Sequence, residues 1–66
     1  MSIVKVIEVI SEGETIEKAI VNAIKEASHT IQDIKQIDVE HIHAKVENGH
    51  VTKYRIDARI SFVVKH

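Results

Sequence analysis

Residues 36–64 read QIDVEHIHAKVENGHVTKYRIDARISFVV. Two runs rich in β-branched residues flank Asn48-Gly49. Asn-Gly between alternating apolar residues predicts a two-residue type I′ hairpin turn, because both central residues must take positive φ. Each arm runs to about a dozen residues, against about five or six for a usual strand. The hairpin therefore takes up nearly half of the chain. The rest must supply whatever covers it.

Working outward toward the N-terminus, residues 2–10, SIVKVIEVI, form a β-branched run interrupted only by Lys5 and Glu8. It reads as a strand of roughly eight residues, apolar on both faces. Ser11, with Glu14 three residues on, fits a capping box at a helix start. Ile16, Ala19, Ile20, Ala23, Ile24, Ala27, Ile31 and Ile34 then recur at spacings of three and four. That stripe predicts one amphipathic helix running to about Ile34. At 1.5 Å per residue it spans roughly 30 Å.

A strand, a helix and a second strand make a crossover unit, so the first two strands point the same way. The third returns antiparallel and fits between them. The expected fold is α+β, with element order β-α-β-β: one helix packed on a three-stranded antiparallel sheet of order 1-3-2.

The chain has 66 residues with no Cys, no Pro and no Trp. Residues 1–66 therefore read as a single domain without disulfides or cysteine-held zinc. A domain of this size is marginal alone, and self-association is a usual remedy. The net charge is −1 with histidines neutral, and no basic cluster speaks for nucleic acid. No long apolar segment suggests export or a membrane, so the expectation is a cytoplasmic protein. The serines lack a nucleophile motif, and Gly13 and Gly49 form no phosphate loop. The reading is therefore a non-enzyme.

If the hairpin pairs without interruption from its turn, Val46 lies opposite Val51, His43 opposite Tyr54, Val39 opposite Ala58 and Ile37 opposite Ile60. Opposed residues share a face. The helix would then cover Ile37, Val39, His41, His43, Tyr54, Ile56, Ala58, Ile60 and Phe62. The other face would hold Gln36, Asp38, Glu40, Arg55, Asp57 and Arg59, with an apolar tip of Ile42, Ala44, Val46 and Val51. One helix cannot cover a strand pair of about 40 Å. The tip therefore reads as a contact between subunits of a homo-oligomer.

Two further groups carry candidate chemistry. His41 and His43 lie two residues apart on one strand face, about 7 Å between Cα atoms, and could share a metal with a third ligand. Asp38, Glu40 and Asp57 offer oxygens that suit a hard cation such as Ca2+. The same carboxylates also face Arg55 and Arg59, as in an ion-pair lattice.

The chain resembles the dodecin family over nearly its whole length. VKVIEVI followed by a serine-containing turn is similar to the family's first strand. IEKAIVNAIKEASHTI is similar to its helix, and IDVEHIHAKVENGHVTKYRIDARISFVV to its hairpin, without a gap. The resemblance implies a hollow dodecamer that stores or sequesters a small ligand, in most members a flavin (riboflavin or FMN) bound between subunits. It places the flavin-contacting positions at Gln36 and Arg55. Flavin-binding members hold a Trp and a Gln there. Gln36 offers no aromatic plane for stacking, and Arg55 donates hydrogen bonds but accepts none. The stretch VTKYRIDARISF is closer to a calcium-associated variety that lacks the Trp.

Overall fold

The computed structural model describes residues 2–65. The hairpin forms as its turn dictates: Asn48 and Gly49 take φ of 51° and 77°, the left-handed pair that a type I′ turn needs. Strands β2 (Ile34–Glu47) and β3 (His50–Lys65) extend from it, preceded by β1 (Ser2–Gly13) and α1 (Ile16–Ala27). The sheet order is β1-β3-β2, antiparallel throughout. The expected α+β architecture, β-α-β-β with a 1-3-2 sheet, is the one observed.

The helix is shorter than its apolar stripe suggested. It ends at Ala27, not near Ile34. The Ser28 hydroxyl donates to the Ile24 carbonyl at 2.7 Å. His29 N and Thr30 N donate to the carbonyls of Glu26 and Ala27, three residues back, which tightens and ends the last turn. Asp33 then takes a φ of 57° and redirects the chain into β2. Ile34 is apolar because it opens a strand. The helix start is also displaced. Thr15, not Ser11, is the N-cap, its Oγ1 accepting from Lys18 N at 3.0 Å. Ser11 and Gly13 belong to β1 and pair with Ile56 and Tyr54.

Gly13 permits this tight transition. A Cβ there would lie 2.5 Å from Ala19 N and 2.9 Å from the Lys18 carbonyl carbon. The helix backbone thus rests directly on the end of β1. The Asn22 amide donates to the Glu12 carbonyl at 3.0 Å and ties the helix to the same edge.

Twelve helical residues reach only about 18 Å, whereas the sixteen of β3 reach roughly 54 Å. The helix lies over β1 and β3 and scarcely touches β2. Its alanines allow close approach: Ala19 and Ala23 are buried with Ile56, Ala58 and Ile60. Val9, Ile20, Ile37 and Val39 pack around them. In β1, Ile7, Val9, Ser11 and Gly13 are half-buried and their alternate neighbours exposed. The single chain therefore covers one face of β1, where the sequence suggested burial on both.

The pairing of β2 with β3 is interrupted. Val39–Ala58, Ile37–Ile60 and Val46–Val51 pair as expected, but His43 lies opposite Arg55, not Tyr54. The register shifts between Ile34 and Gln36, between Val39 and His41 and between Lys45 and Val46. Lys35 and Glu40 are extra residues in β2, and Thr52 an extra residue in β3. Each is a β-bulge, and a one-residue slip turns side chains to the other face. Between Glu40 and Thr52 two assignments reverse. His41 and His43 leave the helix side, and Ile42 and Ala44 join it opposite Ile56 and Tyr54. The apolar tip, with Val46 and Val51, thus lies on the helix side, beyond the helix. Ile42, Val46 and Val51 remain 52%, 60% and 51% exposed.

Among the described residues, no helix is long and apolar enough to cross a membrane.

Candidate functional site

The face without a helix collects most of the polar chemistry. β3 contributes Lys53, Arg55, Asp57 and Arg59 at alternate positions. β1 contributes Glu8, Ile10 and Glu12, which pair with Arg59, Asp57 and Arg55. β2 contributes Gln36, Asp38, Glu40, His41 and His43. The bulge residue Glu40 stays on this side, its Oε1 3.4 Å from Arg59 Nε.

Charges pair across the three strands. Arg59 also reaches Glu8 at 3.6 Å, so one guanidinium bridges both edge strands. Lys53 Nζ lies 3.3 Å from Glu12 Oε1. Asp57, on the central strand, meets Arg55 Nε at 3.4 Å, His43 Nε2 at 3.4 Å and His41 Nδ1 at 3.9 Å. Its Oδ1 is buried without an aligned hydrogen bond. Most of these pairs are well exposed, and each contributes at most about 1 kcal/mol. Their role is to orient side chains.

A groove of about 600 Å³ crosses this face, lined by Glu8, Val9, Ile10, Glu40, His41, Asp57, Ala58 and Arg59. A smaller one of about 230 Å³ continues toward the tip between Glu12, His43, Ala44, Lys45, Lys53 and Arg55.

The predicted positions fall as follows. Gln36 and Arg55 both lie on the open face, as expected. Gln36 pairs with Ser61 and Arg55 with His43, so six residues of β3, about 20 Å, separate them. The two do not meet within one chain. The Gln36 amide donates to both Asp38 oxygens, at 2.8 and 3.0 Å. Asp38 lies opposite Arg59, whereas His41, not Glu40, lies opposite Asp57. Among the described residues, no three His, Asp or Glu side chains are arranged to hold a metal ion. The carboxylates face cationic or donor groups instead, the ion-pair arrangement that the sequence also suggested.

Sequence reasoning placed no part of β1 at this site. A signal was available: in a 1-3-2 antiparallel sheet, Glu8, Ile10 and Glu12 must share a face with alternate residues of β3. The missing piece was the register between β1 and β3, which no short turn sets.

No protein of curated function matches the chain. Among solved structures, an arginine-to-alanine mutant of the Thermus thermophilus dodecin superposes with a TM-score of 0.91 at 21% identity, with 100% of both chains covered. The dodecin from Streptomyces coelicolor gives 0.90 at 21% identity, covering 98% of this chain and 94% of that one. The dodecin from Streptomyces davaonensis gives 0.89 at 17% identity, covering 98% and 97%. At such identities the likeness speaks for the fold. The Dodecin family model matches residues 3–65, from the first strand to the end of the last, and on that match the chain belongs to the dodecin family.

Proposed function

We propose that the chain assembles with further copies of itself into a hollow dodecin-type dodecamer that stores or sequesters a small ligand, without turning over a substrate. One observation carries the assembly. Among the described residues only five apolar ones are buried, whereas nine large ones are more than a third exposed: Ile3, Val4, Val6, Ile10, Ile16, Val21, Ile42, Val46 and Val51. A monomeric domain rarely leaves so much apolar surface uncovered. A second copy supplies the missing cover, and a cytoplasmic setting suits such a shell.

The ligand reading is a flavin, riboflavin or FMN, held where copies meet. Gln36 and Arg55 lie about 20 Å apart along the sheet, too far to grip one ring system from a single chain. A site using both positions must combine two copies. Gln36 supplies amide contacts without stacking. Arg55 supplies a guanidinium that can donate to a ring carbonyl or a phosphate. This set fits a polar grip, weaker than an aromatic sandwich and biased toward a phosphorylated flavin.

The calcium reading has less support. The Asp38 oxygens accept from Gln36, and Glu40 and Asp57 each face an arginine. Calcium needs six to eight oxygens, so these carboxylates would have to exchange their partners and recruit a second copy.

Native mass spectrometry of the purified protein tests both halves, because it reports subunit number and retained ligand together. A stable monomer of 7.5 kDa would remove the assembly. Titration of riboflavin and FMN, followed by fluorescence, tests the ligand. Quenching at micromolar protein, stronger for FMN, is expected. An unchanged signal for both removes the flavin.

A further inference from the structure

The bulge at Glu40 gathers a group that the flavin reading does not use. His41 lies opposite Asp57, and His43 follows two residues on along the same face. Oδ2 of Asp57 is 3.9 Å from His41 Nδ1 and 3.4 Å from His43 Nε2. Each ring therefore turns one nitrogen toward the same carboxylate oxygen. The other nitrogens, Nε2 of His41 and Nδ1 of His43, are left for another partner. At 3.9 and 3.4 Å the contacts to Asp57 are ion-pair approaches, not hydrogen bonds; in metal sites a carboxylate beside the ring nitrogen that does not bind the ion fixes tautomer and orientation.

We propose that His41 and His43 form a two-imidazole site for a borderline divalent transition metal, of the class of Zn2+, Ni2+ or Cu2+, with Asp57 as the carboxylate that orients both rings. The site needs no small ligand, although Arg55, the position of the flavin reading, lies opposite His43 and pairs with Asp57.

Its dimensions are close to what chelation requires. With metal–nitrogen bonds of about 2.0–2.1 Å and about 1.1 Å from nitrogen to ring centre, two imidazoles on one tetrahedral ion have centroids about 5 Å apart. The observed centroids are 6.3 Å apart. The excess is small, and the side chains are 71% and 51% exposed. Convergence of the two ligating nitrogens takes rotation of these exposed side chains about their own bonds, which leaves the core undisturbed. Imidazole selects for this metal class, whereas Ca2+ and Mg2+ prefer oxygen. Two protein ligands leave the remaining coordination positions to water.

The test is calorimetric titration of untagged, chelator-treated protein with Zn2+, Ni2+ and Cu2+. Wild type is expected to take one ion per chain. His41→Gln and His43→Gln should each reduce binding to the level of a lone surface imidazole. Asp57→Asn should retain the site with affinity lowered by about tenfold. Equal binding by wild type and either histidine variant, or no binding of any of the three ions, overturns the proposal. Electron paramagnetic resonance of the wild-type Cu2+ complex decides it without any variant. Two coordinated imidazole nitrogens support the site, and one or none overturns it.

Discussion

His41 faces Asp57 across the β2–β3 pair, its Nδ1 3.9 Å from the Asp57 Oδ2, because Glu40 is carried as an extra residue in β2. An unbroken ladder would have put a carboxylate opposite a carboxylate at this point, and directly opposed like charges destabilise a sheet. The bulge replaces that clash with an imidazole–carboxylate neighbour and turns Glu40 toward Arg59.

The register can be checked by cross-linking. His43 pairs with Arg55, so His43→Cys with Arg55→Cys should form a disulfide under mild oxidation. His43→Cys with Tyr54→Cys, the partner of an uninterrupted hairpin, should not, because the two side chains point to opposite faces. Peptide mapping by mass spectrometry reads the result. The reverse outcome would restore the continuous ladder.

Gly13→Ala is expected to destabilise the fold by about 1–3 kcal/mol, the usual cost of overpacking. The new methyl would meet helix backbone at Ala19 and Lys18, which cannot swing aside as a side chain can. Denaturant unfolding at one fixed protein concentration measures it, since association also adds stability. An unchanged midpoint would mean that the helix rides higher on β1.

Thr15→Ala should cost about 1 kcal/mol through loss of the N-cap. Thr15→Ser should restore most of it by keeping the hydroxyl that accepts from Lys18 N. The same denaturation series reads both. Equal loss in the two variants would point to packing of the threonine methyl instead.

Val46→Asp should leave the chain folded, because Val46 is 60% exposed, and should disrupt self-association by placing a charge in the apolar tip. Sedimentation velocity is the measurement. Assembly of wild-type size would mean that the tip faces solvent in the shell.

Much of the fold was legible because short-range rules govern it. Asn48-Gly49 set the hairpin, and the Ala-Ile stripe set the helix and its inner face. The crossover rule then left one sensible sheet order. The pairings beside the turn and from Ile37 to Val39 were also legible. What stayed hidden lay in the middle. Nothing about Glu40 or Thr52 as residues marks a bulge, so His41 and His43 were expected under the helix and Ile42 and Ala44 opposite it. The helix ends were blurred for a related reason. Ile31 and Ile34 continue a helical spacing but serve a connector and a strand, and Ser11 carries a capping signal that Thr15 uses. At the site, Gln36 and Arg55 fell on the expected face, whereas the contribution of β1 depended on a long-range register that no local signal specifies.

The bulges at Glu40 and Thr52 carry a genetic consequence. One adds a residue to β2 and the other to β3, so they act as an insertion and its compensator within a single hairpin. Deleting Glu40 alone should throw residues 34–39 out of frame with β3 and send Ile37 and Val39 toward solvent. Deleting Thr52 as well should return every pair to its present partner, leaving only the irregularity at Lys35. The first deletion would be a lesion and the second its intragenic suppressor, although the two residues lie on different strands and bear no chemical likeness to each other.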